Sequence, residues 1–330
     1  MPKAELHRHL AGCVTPRIAL EMAERFGAPI PVRELEPLER AMVLQEPLRS
    51  LQDVLARFSL VAHLFVSPAA VRFAARRAVE DAAADGVRYL ELRFSPGFTS
   101  YAHHLNHEAV VEAVLEGTRD ACRETGCIVP LLVIASREMG PDVCMETFRL
   151  AARHRPAVVG VDLAGDEDNH PPERFRAAFD YARGEGLAVT VHAGEQGFPD
   201  NVGTAIRLLG ARRIGHGIRI VDRPDLIETV LEHGAALEIC VTSNWIVGAV
   251  PTPEEHPLGR LMASRVPVSL NSDDPALFGI TLSSELDLCR RVVPGLDLVQ
   301  AQRDALDRAF GNPVDVGRVR QELWEWSTRA

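Results

Sequence analysis

The pattern of apolar and polar positions predicts a regular alternation of strands and helices along the chain. Short, almost continuously apolar runs are typical of strands that are buried on both faces. They lie near Ala4–Leu10, Val87–Phe94, Ile128–Ala135, Val158–Leu163, Ala188–His192, Arg213–His216, Ala236–Val241 and Val266–Leu270. About eight strands separated by helices predict an α/β fold, the (β/α)8 TIM barrel, with an open doubly wound sheet as the alternative.

The helices between these strands are predicted from apolar periodicity and from capping residues. Pro16–Phe26 places Ile18, Met22 and Phe26 on one face, between an N-cap at Thr15 and a stop at Gly27. Ser50 and Asp53 resemble a capping box that opens a helix presenting Leu51, Leu55, Phe58, Ala62 and Phe65. Further helices are predicted over Pro68–Asp85, His107–Thr125, Pro141–His154, Pro172–Glu185, Asp200–Leu209 and Pro224–His233.

Two segments fall outside the strand–helix repeat. Residues 15 to about 68 are too long for one crossover, so we expect extra helices that cover the barrel mouth. The tail after Ser283 is predicted to be helical and to pack on the outside. Because the 330 residues contain no linker and no short repeat, we expect a single domain over 1–330.

Charge and composition limit the possible partners and the compartment. The net charge of −10 and the lack of a basic stripe argue against a nucleic-acid partner. No apolar run reaches membrane-spanning length, so no membrane partner is expected. The N-terminus shows no signal-peptide pattern and the six cysteines are scattered, so we expect a cytoplasmic protein with reduced thiols.

The polar residues that suggest chemistry follow predicted strands 1, 4, 5, 6 and 8, which favours the barrel over the open sheet. His7 and His9 are two apart, so a strand would point both rings into the mouth. His192 follows an apolar strand, where a hydrogen-bonded core histidine is equally reasonable. His216 lies between two glycines and could be a metal ligand, a base or a residue that orients water. Asp273 and Asp274 end the last strand, although Asp-Asp-Pro is also a common turn.

Several imidazoles and a carboxylate at strand ends indicate one metal site that keeps a position for water. Zinc prefers such ligands and makes water a nucleophile at neutral pH. A metal pair bridged by a lysine carbamate is excluded, because Lys3 is the only lysine. His103, His104 and His107 form a local cluster that is a weaker candidate for a second metal site, and His256 is expected near the rim.

Two further groups belong to the same predicted mouth. Glu195 could act as a proton donor and acceptor in a closed pocket, or it could simply stabilise a helix N-terminus. Gly165 could offer a backbone N–H to a ligand, or it could belong to a plain turn.

Taken together, these motifs resemble the adenosine deaminase family of the amidohydrolase superfamily, over nearly the whole chain. The matching segments are Pro2–Gly12, Tyr89–Pro96, Asp162–Glu167, Val191–Glu195, Ile214–Gly217, Glu238–Asn244 and Ser269–Pro275. The resemblance implies a (β/α)8 barrel with one divalent metal, usually Zn²⁺, and a small-molecule purine nucleoside as substrate. It implies that the metal ligands are His7, His9, His192 and Asp273.

The resemblance also implies the remaining roles. Glu195 would protonate purine N1, and His216 would orient or deprotonate the attacking water. Asp274 would bond N7, and the Gly165 N–H would bond N3. Water would attack C6, and the tetrahedral intermediate would collapse with loss of ammonia.

The chain departs from the family at two positions. Ala11 stands where adenosine deaminases typically have an aspartate for the ribose 5′-hydroxyl and adenine deaminases tend to have a glutamate, and Val241 stands where a proline is common. The first departure suggests a 5′-modified adenosine, such as 6-amino-6-deoxyfutalosine of a menaquinone route, whose aryl ketone carries a carboxylate. Arg8, Arg137 or another arginine at the mouth is a candidate to meet that carboxylate, and the sequence does not choose between them.

Other functions stay open at this point. Adenosine deaminase and adenine deaminase are the alternatives within the family. A different hydrolase on this scaffold, or a non-catalytic binding protein, would be the alternatives outside it.

Overall fold

Eight parallel strands form the centre of the molecule in a computed structural model that describes residues 1–47 and 51–329. The strands are β1 (Lys3–His9), β2 (Val87–Phe94), β3 (Leu131–Ser136), β4 (Val158–Ala164), β5 (Ala188–Ala193), β6 (Arg213–His216), β7 (Ala236–Ile239) and β8 (Val268–Leu270). Each strand pairs with the next in chain order. The Asp273 N–H donates to the His7 carbonyl at 3.1 Å, and the His9 N–H donates to the Asp273 carbonyl at 2.9 Å. These bonds join the end of β8 to β1, and the predicted (β/α)8 TIM barrel is confirmed.

The predicted strands agree with the observed ones except at a few ends. β3 begins at Leu131 because Pro130 cannot donate a backbone hydrogen bond. β8 begins at Val268, after Pro267, for the same reason. β7 ends at Ile239, since Val241 already begins a helix.

The helices surround the barrel, and several were not predicted. They are α1 (Pro16–Phe26), α2 (Leu35–Met42), α3 (Leu51–Leu64), α4 (Pro68–Ala84), α5 (Pro96–Ser100), α6 (His107–Thr125), α7 (Gly140–Arg153), α8 (Arg176–Gly184), α9 (Asp200–Arg207), α10 (Pro224–Glu232), α11 (Val241–Ile246), α12 (Leu258–Ala263), α13 (Pro275–Phe278), α14 (Leu282–Val292), α15 (Leu298–Asp307) and α16 (Pro313–Arg329). The short helices α5, α11 and α13 directly follow β2, β7 and β8 and contain too few residues to show a 3.6-residue period.

The N-terminal insertion contributes to the mouth of the barrel, as predicted. Leu44, after α2, and Phe58, on α3, both line the cavity above the strand ends. The predicted cap at Ser50 and the side chain of Asp53 lie outside the part of the chain that the structure describes.

The helical C-terminal tail closes the opposite end of the barrel. The Ala4 N–H donates to Gln302 Oε1 at 2.6 Å, and the Phe310 N–H donates to Glu91 Oε1 at 2.6 Å. The tail was predicted to pack on the outside of the barrel. In the structure, α15 and the residues that follow it also cover the barrel floor.

Within residues 1–47 and 51–329, no single helix is long and apolar enough to cross a membrane. Only the helical segments 57–64 and 68–84 taken together have that length and composition, and they are bent by 115° relative to each other.

Candidate active site

Four side chains from three strand ends converge at the mouth of the barrel. His7 and His9 project from β1, His192 from β5, and Asp273 follows β8. Oδ1 of Asp273 lies 3.1 Å from Nε2 of His7 and 3.1 Å from Nε2 of His9, and the two Nε2 atoms are 3.2 Å apart. Together the four residues offer ligand atoms within 4.8 Å of one another and could hold a metal ion.

Two buried carboxylates fix the orientation of these histidines. Nδ1 of His7 lies 2.7 Å from Oε2 of Glu238, and Nδ1 of His192 lies 3.1 Å from Oδ1 of Asp162. Because each Nδ1–H donates to a carboxylate, each Nε2 is left bare toward the centre of the group. Bare nitrogens and a carboxylate oxygen at such distances repel one another unless a cation lies between them. The residues therefore fit a divalent metal.

The same carboxylates are neutralised from below by two buried arginines. Arg93 donates to Asp162 at 2.8 Å and to Glu238 at 2.8 Å, while Arg213 donates to Glu238 at 2.6 Å and to Glu91. Burial alone would raise the pKa of Asp162, but His192 and Arg93 hold it well below its ordinary value. Burial lowers the pKa of His192 to about 3, which keeps this imidazole neutral, as a metal ligand must be.

The backbone at two of the site residues is in the left-handed region. His216 has φ 63° and Asp273 has φ 62°, although neither is glycine. Gly215 lies against the histidines, since a Cβ there would be 3.1 Å from atoms of both His192 and His7. A side chain at Gly215 would crowd these rings, so this glycine favours their close approach.

Glu195 lies on a loop whose backbone is held by another carboxylate, that of Glu167. The N–H groups of Gly194, Glu195 and Gly197 donate to Glu167 at 2.7, 3.1 and 2.8 Å, and that of Gln196 donates at 3.3 Å. Burial raises the pKa of Glu195, although the neighbouring His216 opposes that rise. A raised pKa favours the protonated form of this carboxyl group, from which it can donate a proton.

Asn244 connects Glu195 to His216. Its Nδ2 lies 2.7 Å from Oε1 of Glu195 and 3.1 Å from Nδ1 of His216. The other ring nitrogen of His216 faces Asp273, with Nε2 3.9 Å from Oδ2. His216 also forms a second potential ligand group with Cys240 and Asp273.

Asp274 and Gly165 face the same cavity from opposite sides. Oδ1 of Asp274 is buried without a hydrogen-bond partner among the described residues. Burial, followed by the charge of Asp273, raises the pKa of Asp274 well above its ordinary value and so favours the protonated form of this acid. Gly165 has φ 111°, and a Cβ there would lie 2.4 Å from a carboxylate oxygen of Glu138. Only glycine fits that position.

The cavity above the strand ends has a volume of about 830 Å³ and two kinds of wall. Beside Ala11 the wall is apolar and comes largely from the segments that carry α2, α3, α5 and α13. Its side chains are Leu44, Phe58, Phe98, Leu277 and Phe278. The opposite wall is acidic and consists of Glu138, Asp166, Glu167, Asp168 and Glu195.

The structure corrects the prediction that Arg8 or Arg137 meets a substrate carboxylate. Arg8 donates to Glu5 and Cys13, each at 3.1 Å, and neither arginine lines the cavity. Arg137 is fully buried, and it donates to the carbonyls of His170 and His192 at 2.7 Å each. Among the described residues, Arg93 is the only lysine or arginine that lines the cavity, and its guanidinium is bonded to Asp162 and Glu238.

The structure also tests two predictions about other histidines. His256 is 5% exposed and bonds Asn244 at 3.0 Å, so its prediction as a rim residue was wrong. Within residues 1–47 and 51–329, His103, His104 and His107 form no group able to hold a metal.

Sequence reasoning missed the residues that support the site from behind. Glu238, Asn244 and His256 lie on or after β7, and Arg93 lies on β2, two strands from which no site residue was predicted. Polar residues at the end of an apolar strand were the signal used elsewhere, and Thr242-Ser243-Asn244 gives that same signal here.

Comparison with known proteins places this geometry in a family. The family model described as adenosine deaminase matches residues 2–321. An adenosine deaminase of Yersinia pseudotuberculosis serotype IB is 36% identical over 327 residues, covering 98% of both chains. The crystal structure of an adenine deaminase from Arthrobacter aurescens aligns with a TM-score of 0.90 at 26% identity, covering 99% of each chain.

A third similar protein carries a metal. An amidohydrolase from Burkhoderia ambifaria, solved with bound Zn, aligns with a TM-score of 0.86 at 28% identity, covering 98% of this chain and 90% of its own. The chain thus belongs to the adenosine deaminase family of the amidohydrolase superfamily, and it is a hydrolase that deaminates an adenine-containing substrate.

Proposed function

We propose that the protein catalyses metal-dependent hydrolytic deamination of a 6-aminopurine nucleoside at C6, with a 5′-modified adenosine as its substrate. The observation that carries the reaction type is the convergence of three groups on one cavity. A metal-ligand set, a carboxyl group with a raised pKa and the unpartnered acid Asp274 all face it. Deamination of a purine needs a nucleophile for C6, a proton for N1 and a donor for N7, and these three groups can supply them.

The metal would be held by His7, His9, His192 and Asp273, and Zn²⁺ suits three imidazoles and one carboxylate best. When bound, it would make water a nucleophile at neutral pH. The oriented histidines described above support this assignment, as does the zinc-containing amidohydrolase to which the chain is similar.

Glu195 is the proton donor in this proposal. Its carboxyl proton goes to purine N1 as the oxygen of water bonds to C6, and the proton that the water loses passes to Glu195, either directly or through His216. The proton of the new C6 hydroxyl then passes to the amino group, the C6–N bond breaks, and ammonia leaves with the electron pair as C6=O forms. His216 borders the attacking water and either orients it or accepts its proton.

Asp274 and Gly165 orient the base. Purine N7 and N3 are acceptors, so each needs a donor. A protonated Asp274 donates to N7 through its O–H, and the backbone N–H of Gly165 donates to N3. The raised pKa of Asp274 supports this role, because an ionised carboxylate would repel N7.

The wall beside Ala11 supports an apolar 5′ substituent. Ala11 provides no acceptor for a 5′-hydroxyl, and its surroundings in the cavity are aromatic and aliphatic. The aryl ketone arm of 6-amino-6-deoxyfutalosine fits this wall, with its carboxylate at the open mouth and away from Arg8 and Arg137. A 5′-phosphate is disfavoured, because it would lie directly against the apolar wall beside Ala11 and the lining arginine is already bonded to two carboxylates.

Adenosine is the second candidate, and adenine the third. The 36% identity to an adenosine deaminase over almost the whole chain favours adenosine, and the fold similarity to an adenine deaminase favours adenine. Neither name accounts for the apolar wall beside Ala11.

An ammonia-release assay of the zinc-loaded enzyme tests both levels of the proposal. The panel is adenine, adenosine, 5′-deoxy-5′-methylthioadenosine, 6-amino-6-deoxyfutalosine and AMP. We expect the highest kcat/KM for a 5′-apolar nucleoside, a lower value for adenosine and the lowest for AMP. Ammonia from none of them would overturn the deaminase assignment, whereas a preference for adenosine would overturn only the 5′ assignment.

A further inference from the structure

A chain of hydrogen bonds runs from the backbone of α12 to the two proton-handling residues of the site. The Leu258 N–H donates to Nδ1 of His256 at 3.1 Å. Nε2 of His256 lies 3.0 Å from Oδ1 of Asn244. Nδ2 of Asn244 then lies 2.7 Å from Glu195 and 3.1 Å from His216. Asn244 is fully buried and His256 is 5% exposed, so water does not compete for these bonds.

The Leu258 N–H determines which atom is the donor and which is the acceptor in each of these hydrogen bonds. A backbone N–H can only donate, so Nδ1 of His256 accepts and the ring hydrogen lies on Nε2. That hydrogen is donated to Oδ1 of Asn244, so the amide nitrogen faces the site. Burial lowers the pKa of His256 to about 4, which agrees with a neutral ring carrying one hydrogen.

The reversed amide is excluded by the same contacts. With nitrogen and oxygen exchanged, the amide oxygen would lie 2.7 Å from a carboxylate oxygen of Glu195. Its NH₂ group would meet the N–H of His256. The first contact is repulsive unless that oxygen carries a proton, whereas the second places two donors against each other in either case, so the amide has one acceptable orientation.

We propose that Asn244, oriented by His256, is a positioning residue that fixes His216 as the Nε2–H tautomer and leaves Oε2 of Glu195 as the protonated oxygen. One amide hydrogen is given to Nδ1 of His216, which must then be an acceptor. A hydrogen on that Nδ1 would collide with the amide N–H at 3.1 Å, and the alternative bond to Glu195 is longer, at 3.5 Å. The second amide hydrogen occupies Oε1 of Glu195.

This inference rests on the proposed deaminase function and decides a role that the reaction scheme left open. Nε2 is the ring nitrogen of His216 that faces Asp273 and the reaction centre. With its hydrogen there, His216 donates a hydrogen bond to the attacking water and so orients it. It does not accept the proton of that water, which leaves Glu195 as the proton carrier.

The first test is a tautomer measurement on zinc-loaded enzyme labelled with ¹⁵N-histidine. The two-bond ¹⁵N–¹H pattern distinguishes Nε2–H from Nδ1–H, and a His216→Gln variant assigns the signal. We expect Nε2–H in the wild type and loss of that single form in Asn244→Ala. An Nδ1–H pattern in the wild type overturns the proposal without any assay of turnover.

The second test separates positioning from a purely structural role. In Asn244→Ala we expect kcat to fall on the order of 10²-fold, as for a misplaced catalytic group, with KM within about threefold and one zinc retained. His256→Gln keeps an N–H for Asn244 and should retain most of kcat, whereas His256→Leu should lose it. His154→Gln is the matched control, because His154 bonds Glu108 far from the site.

The outcomes distinguish the two levels of inference. If the wild type shows Nε2–H but deaminates nothing, the proposed function fails and the positioning assignment stands. If the wild type is active and Asn244→Ala changes neither kcat nor the tautomer, the positioning role fails. Equal losses in His256→Gln and His256→Leu would likewise overturn it, because the donated hydrogen would then not matter.

Discussion

The barrel mouth has two halves that are built differently. In the half that holds the ligand group, each orienting contact is polar and comes from a strand or the residue after it, as in His7 with Glu238 and His192 with Asp162. In the half beside Ala11, the side chains are apolar and come mostly from helices or the loops next to them. Buried hydrogen bonds therefore hold the first half in place, and we expect it to fix the reaction, whereas we expect the lining of the second half to set the substrate.

The different substrate names of similar proteins agree with this division of the mouth. The chain is similar to an adenosine deaminase and to an adenine deaminase, and both are purine deaminases. We expect the substitutions that break the first half to abolish turnover, and those in the second half to change the preferred substrate.

Removing the metal should have the largest effect. A metal lowers the pKa of water from about 15.7 to about 7, so its loss through chelation or His9→Ala should reduce turnover at least about 10⁴-fold. Metal analysis and ammonia release should show recovery of the chelated protein with about one equivalent of zinc, and His233→Ala, an exposed histidine, should behave as wild type. Full activity without metal would contradict the prediction. A requirement for two equivalents would instead point to the second group, His216, Cys240 and Asp273.

Glu195→Gln should have the next largest effect. The amide cannot carry a proton to N1, so kcat should fall by roughly 10²–10⁴-fold while the metal content is unchanged. Glu228→Gln, on the exposed face of α10, is the matched control. Loss of zinc in Glu195→Gln would instead make Glu195 a ligand, and near-normal turnover would remove it from the mechanism.

The polar half was largely predictable from sequence because strand periodicity places its residues. Two positions apart on β1, His7 and His9 must share a face, and the structure brings them together. The same rule puts Arg8 on the opposite face, so period-2 reasoning alone excludes Arg8 from the cavity. Arg137 is not governed by that rule, since it follows β3 in a 3-10 turn.

The supporting contacts were not predictable for a different reason. Asn244 and His256 come together because α11 packs against the 3-10 turn Pro253–Glu255 that directly precedes His256. No periodicity in the sequence encodes that contact, and α11 is too short to show one. Glu167 was visible as an acid after β4, but its four backbone donors exist only once the Gly194–Gly197 loop is formed.

Glu285 offers a way to measure how firmly the polar half is held from behind. Its carboxylate accepts the Thr242 N–H at 2.9 Å and also bonds the Thr242 hydroxyl, at the start of α11. Burial raises the pKa of Glu285 from 4.5 to about 7. The folded protein therefore keeps a proton that the unfolded chain loses, so stability falls as pH rises from about 4.5 through about 7.

Glu285→Gln should remove that dependence. At about 1.4 kcal/mol per pKa unit, the wild type should lose on the order of 3 kcal/mol of unfolding free energy relative to the variant across that range. Urea unfolding of both proteins at several pH values measures the difference, in which the other titrating groups cancel. A difference that is independent of pH would show that Glu285 titrates normally.

Ala11→Asp probes the apolar half and should have the smallest effect on the chemistry. The new carboxylate would accept a 5′-hydroxyl, and a hydrogen bond of that kind is worth around 1–3 kcal/mol, or roughly tenfold to a hundredfold in kcat/KM. The variant should gain on adenosine and lose on a 5′-aryl nucleoside, because the carboxylate would then be buried against an apolar group. Ala11→Val, which adds bulk without an acceptor, should gain on neither substrate. The test is to measure kcat/KM of the wild type and of Ala11→Asp on both substrates. If the wild type prefers adenosine and Ala11→Asp keeps the same preference, the ribose is bound elsewhere in the cavity. The two halves of the mouth would then not be separable.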